Sequence, residues 1–96
     1  MLDEKITDEM INELYDAFIA LKTREECFEF LEDLCTKKEV GLMAQRLSAA
    51  KLIKDGATYN EVIEKTEISS ATLSRVSRAL KYGKGYKMML KKLLEK

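Results

Sequence analysis

TYNEVIEKTEISSATLSRVSRAL, residues 58–80, holds two short helical patterns that meet at a tight turn. In the first, Tyr59 to Thr66, Val62 and Ile63 are apolar. In the second, Ser70 to Leu80, the residues Leu73, Val76 and Leu80 recur at spacings of three and four, one stripe of a 3.6-residue helix. Ile68 is an apolar plug in an otherwise polar turn, and either Ser69 or Ser70 can cap the second helix. The stripe facing away carries Ser70, Ala71, Ser74, Arg75 and Arg78. Short side chains at a helix start let the backbone approach a groove, and hydroxyl and guanidinium groups beyond them reach phosphates or base edges. The pattern is that expected of a helix-turn-helix whose second helix lies in the major groove of double-stranded DNA.

The segment resembles the helix-turn-helix of bacterial repressors. Val62, Ile63, Ile68, Leu73 and Val76 fall where that motif buries apolar residues, and SSATLSRVSRAL (69–80) is typical of its recognition helix. The turn position usually held by Gly is Glu67 here. A non-Gly residue with positive φ is uncommon, so a rearranged or longer turn is expected. The residues expected at DNA are Thr58, Tyr59, Ser69, Ser70, Ala71, Thr72, Ser74, Arg75, Arg78 and Lys81, with Lys84 and Lys87 as further phosphate anchors.

Ninety-six residues make one domain with a modest core. With no Pro, four Gly and many Leu, Lys, Glu, Ala and Met, the composition favours an all-helical chain. No apolar run approaches the ~20 residues of a membrane span, and the start, MLDEKITDEM, is too acidic and polar for a signal peptide. A cytoplasmic protein with no membrane contact is expected. Cys27 and Cys35, eight apart on one expected helix, are too far apart for a disulfide and lack zinc-type spacing. They read as reduced, buried small hydrophobes.

The net charge of zero conceals a partition. Residues 1–35 hold eleven acids and three bases, a balance of −8, whereas residues 36–96 hold fourteen bases and six acids, a balance of +8. From Ile68 onward there are eight bases and one acid. A basic half that neutralises phosphate gains affinity, and an acidic half facing away from the polyanion costs little.

Thr7 starts the first helix, with Asp8 and Glu9 at its positive end. Met10, Ile11, Leu14, Tyr15, Ala17, Phe18, Ile19 and Leu21 then cover more than one stripe. Thr23 with Glu26 is a capping box for a second helix, whose Cys27, Phe28, Phe30, Leu31, Leu34 and Cys35 again wrap most of the circumference. Two helices this apolar cannot both be satisfied on a monomer of this size, so a homodimer with the N-terminal helices between protomers is expected. Thr36 with Glu39 opens a third helix through Lys54, ended by Asp55-Gly56 with Gly56 as a left-handed cap. Thr58 with Glu61 starts the fourth. Tyr82-Gly83-Lys84-Gly85 breaks the fifth, and a sixth follows from Tyr86 to about Glu95. There is no internal repeat, no low-complexity tract and no linker long enough to divide the helices.

Six helices, with an apolar first pair and a helix-turn-helix fourth and fifth, resemble the tryptophan repressor superfamily, best from Thr36 to Glu95. The chain is similar in particular to the tryptophan-repressor-like YerC/YecD group, on TKKEVGLMAQRLSAAKLIKDG (36–56) and SSATLSRVSRAL (69–80). The resemblance implies an all-α, six-helix fold, an intertwined dimer and a regulatory role. It also implies an effector cleft between the third helix and the recognition helix, where Arg46 and Arg75 match two arginines that sandwich an indole and Thr36 and Thr72 match two polar positions. Two departures stand against tryptophan as ligand. Val76 replaces the Gly that lies against the indole, and Ala79 replaces a Ser that holds the ligand amino group; losing that volume and that partner removes binding energy. Arg46 could instead pair with a carboxylate on a neighbouring helix.

Two functions are consistent with these readings. The first is a homodimeric, sequence-specific DNA-binding transcriptional regulator, its two recognition helices ~34–36 Å apart on a palindromic site. The second is a helical adaptor that binds a partner protein through the acidic N-terminal helices. Enzymatic chemistry is not expected, because there is no His, no Cys with a base, no glycine-rich phosphate loop and no metal-ligand cluster. Neither a cofactor nor a metal is expected.

Overall fold

The structure, a computed structural model, describes residues 5–95. Six helices are present among them: α1 (Asp8–Ala20), α2 (Arg24–Leu34), α3 (Lys37–Lys54), α4 (Tyr59–Thr66), α5 (Ser70–Tyr82) and α6 (Gly85–Leu94). The chain divides into two compact units, the first ending at Thr36 and the second beginning at Lys37.

In the first unit the helix starts follow the local signals. The Thr7 hydroxyl accepts from the Met10 N–H and caps α1; the Thr23 hydroxyl accepts from the Glu26 N–H and caps α2. The Glu26 carboxylate reaches one residue further back than a capping box requires, accepting from the Lys22 N–H at 2.8 Å. Phe18 and Phe30 meet edge to face with centroids 5.7 Å apart. Neither helix contains a buried residue, and Ile19 and Phe28 are 79% and 64% exposed. Cys27 and Cys35 are free thiols but only half-buried, contrary to expectation. Cys35 lies just past the helix, as its C-cap in extended backbone.

The second unit holds the core. α3 packs against both α4 and α5, and α6 packs on α5 and α3. At the centre Ala49 and Ala50 of α3 are completely buried; their small side chains let the other helices come close. Val62, Ile68, Leu73, Val76 and Leu90 fill the space around them, with Leu52, Ile53, Ala57, Leu80 and Tyr86 at the margin. Burying side chains of this size stabilises by about 1.5–3 kcal/mol each. Of the five apolar positions expected inside the motif, Ile63 is the exception. α4 is only two turns long, so with Val62 inward its neighbour Ile63 turns outward and stays exposed. Leu42, Met43 and Leu47 in α3, and Met88, Met89, Leu93 and Leu94 in α6, are exposed as well.

Two boundaries differ slightly from expectation. α5 keeps Tyr82 within the helix, and α6 begins at Gly85 rather than Tyr86. No helix among the described residues is long and apolar enough to cross a membrane.

Candidate nucleic-acid interface

The interface is assembled from the chain's punctuation. α3 ends in a Schellman arrangement: the Gly56 N–H donates to Ile53 O and the Ala57 N–H to Leu52 O, both at 3.0 Å. Gly56 takes φ 97°, open to a residue without Cβ. Two residues later Thr58 caps α4 in a full capping box, its hydroxyl accepting from the Glu61 N–H and the Glu61 carboxylate accepting from the Thr58 N–H. Hydrogen bonds to the carboxylate from Thr58, its backbone N–H first and then its side chain, hold the Glu61 carboxyl below its ordinary pKa, with a smaller pull from Lys65.

The turn between α4 and α5 is not rearranged. Glu67 itself occupies the left-handed position, φ 58° and ψ 20°, and its N–H donates to Ile63 O at 2.8 Å. A non-Gly residue persists there because its surroundings over-determine the turn. The Thr66 hydroxyl donates to Val62 O and accepts from the Ile68 N–H, the Thr66 carbonyl accepts from Gln45 Nε2 at 3.0 Å, and Ile68 is buried. Gln45 is on α3, so the turn is fastened from a second helix.

Ser69 is the cap of α5. Its hydroxyl accepts from the Thr72 N–H and donates to Thr72 Oγ1. Both hydroxyls, expected at DNA, are thus engaged with each other, and Thr72 is half-buried. Ser70, Ala71, Ser74, Arg75, Arg78 and Lys81 are not buried in the core; they run along the side of α5 opposite buried Leu73 and Val76. From Ser70 to Arg78 the helix rises about 12 Å, matching the width of a major groove. α5 contains no acid, and among the described residues Arg75 and Arg78 have no ion-pair partner. The Lys81 ammonium stands 5.4 Å from the centroid of the Tyr82 ring. Lys87 donates to the Lys81 carbonyl at 3.3 Å, closing the end of α5, while Lys84 is exposed in the connection.

Tyr59, expected to face DNA, is 51% exposed but commits its hydroxyl to Ser77 Oγ on α5. Ser77, like Gln45, carries no signal in the sequence, since each acts on a residue about twenty positions away. Of the effector-cleft candidates, Arg46 on α3 is half-buried and has no carboxylate partner among the described residues. Arg75 and Thr72 lie on α5, which packs against α3. Thr36 closes the first unit. Val76, 1% exposed, is part of the core. No group of three or more His, Cys, Asp or Glu that could hold a metal ion exists among the described residues.

A helix-turn-helix seated on a long third helix within a six-helix chain defines a DNA-binding regulator fold of the tryptophan repressor type. The sequence matches the family described as Trp repressor protein over residues 1–94, and the chain belongs to that family. Proteins of the family are DNA-binding regulators, not enzymes. The match includes α1 and α2, beyond the Thr36–Glu95 segment where the resemblance is most legible. The uncharacterized protein YerC of Bacillus subtilis is 39% identical over 93 residues, covering 96% of this chain and 89% of that one. A crystal structure of a Trp-repressor-type protein from Staphylococcus aureus is similar at a TM-score of 0.87 and 42% identity, covering 97% of this chain and 94% of the other. A TrpR-like protein from Eubacterium eligens is similar at 0.86 and 37% identity, with 95% of both chains covered.

Proposed function

We propose that the chain is a cytoplasmic, homodimeric transcriptional regulator that binds double-stranded DNA sequence-specifically through α5, acting as a repressor. The observation that carries this reading is the outward face of α5. Ser70, Ala71 and Ser74 give a low-profile approach to base edges, while Arg75, Arg78 and Lys81 supply cations that no acid of the helix offsets. Thr58 at the start of α4 and Lys84 beyond α5 extend the phosphate-facing edge. Homodimerisation is supported by α1 and α2, none of whose apolar residues is fully buried within one chain.

The adaptor reading has its own support in the exposed apolar residues lying among the acids of α1 and α2. A double charge reversal, Arg78→Glu with Lys81→Glu, separates the two. It abolishes binding to a duplex enriched from random DNA, while a partner held by α1 and α2 is bound as before. Equal binding of wild type to enriched and random duplexes at physiological salt contradicts the regulator reading. Tryptophan is not the expected effector, because Val76 occupies the space and Ala79 offers no acceptor.

A further inference from the structure

We propose that Tyr59 and Ser77 are a positioning pair that sets the recognition helix for DNA without a bound small molecule; this rests on the DNA-binding reading above. Tyr59 is the first residue of α4, and its hydroxyl donates to Ser77 Oγ in the middle of α5. Along α4, Tyr59 stands about 10 Å before the turn, and along α5 Ser77 stands about 10 Å beyond it. The bond therefore joins the two helices at the open end of the corner whose closed end is held by Thr66 and Ile68. Attachment at the turn alone leaves the corner free to open; a second attachment fixes its angle.

The remaining freedoms are removed in the same way. Gln45 ties the end of α4 to α3, and Lys87 ties the end of α5 to the first turn of α6. Beneath the middle of α5, Leu73 and Val76 are each 1% exposed, so the chain's own core fills the space on that side. The angle of the recognition helix is set by side chains already present, and a ligand has no orienting work left. Ser77 is half-buried beside the outward stripe, so it orients that stripe without forming part of it.

The test uses the full chain and an enriched duplex, with fluorescence anisotropy at several salt concentrations and no small molecule added. Wild type binds. Tyr59→Phe keeps the ring and Ser77→Ala the helix, yet each weakens binding about three- to tenfold, as expected for one hydrogen bond. The double variant is no weaker than either single one, and Ser77→Thr restores affinity. The slope of log affinity against log salt stays at the wild-type value, because every phosphate remains neutralised as before. In the free protein, amide hydrogen exchange in α5 quickens in Tyr59→Phe and Ser77→Ala.

Wild-type affinity in both single variants, or losses that multiply in the double variant, overturns the pairing. A reduced salt slope in Tyr59→Phe shows that the hydroxyl serves a phosphate instead. Wild-type binding that requires an added amino acid contradicts the ligand-free half of the proposal. A wild type that binds no duplex defeats the DNA reading itself; unchanged α5 exchange then overturns the pair as well.

Discussion

Glu67 holds a left-handed backbone that costs a side chain roughly 1–2 kcal/mol relative to its preferred conformations. Glu67→Gly is accordingly expected to raise the stability of the second unit by up to about 1 kcal/mol, the gain limited by glycine's greater unfolded entropy; thermal unfolding reads it. Thr66→Val is expected to cost about 1–3 kcal/mol, since it leaves the Ile68 N–H without its acceptor. Gly83 is constrained by space rather than by dihedral angle. A Cβ there would sit 2.8 Å from the Ala79 carbonyl oxygen, a backbone atom that cannot step aside, so Gly83→Ala is expected to destabilise by about 1–3 kcal/mol. The Glu61 carboxyl is held below its ordinary range, so its contribution is complete above the unfolded-state value and disappears as pH falls through the lowered folded one. Acid unfolding of Glu61→Gln should therefore lack the part of the wild-type pH dependence that falls in that window. What is legible in the sequence at this scale is local. Thr7, Thr23 and Thr58 announce their helices because a cap acts three residues away. Glu67 points to the wrong turn because its support comes from Gln45, on another helix and bonded to a residue twenty-one positions along the chain. Cys35 departs from expectation because an apolar side chain at a helix end can sit beyond the last turn.

α5 is the element on which the functional reading depends. Its apolar stripe is legible because Leu73 and Val76 repeat at helical spacing, and both are buried. Leu73→Ala is expected to cost about 2–5 kcal/mol and to loosen α3, α4 and α5 together, as followed by urea unfolding. Its outer stripe makes a different prediction. Arg78→Ala leaves stability within about 0.5 kcal/mol but lowers the salt slope of DNA binding by about 0.9 for each phosphate left without its cation. α4 is less legible than α5. Two turns are too few for periodicity to say which of Val62 and Ile63 faces inward, and the fold puts Val62 there. The Tyr59–Ser77 contact is hidden for a related reason: a hydrogen bond across a corner depends on the angle between two helices, which neither helix encodes alone.

For the whole molecule, the division of charge is as sharp as the division into units. The balance is −8 before α3 and +8 from α3 onward. The six-helix architecture is legible, because the Thr-led helix starts and two Gly-containing stops leave little choice of boundaries. Burial of α1 and α2 is not, since their apolar residues specify that a partner surface is needed without specifying which. That surface is expected to be a second copy of the chain. Sedimentation should give a dimer, and Ile19→Glu combined with Phe28→Glu should give a monomer that has lost DNA affinity while α3 to α6 remain folded. The assignment of α5 as a sequence-reading helix is tested most directly by selection from random double-stranded DNA at physiological salt, with and without tryptophan. The predicted result is a palindromic consensus, its half-sites about one helical turn apart, enriched equally in both arms. Enrichment only with tryptophan would contradict the reading of Val76 and Ala79, and no consensus in either arm would contradict the assignment of α5 itself.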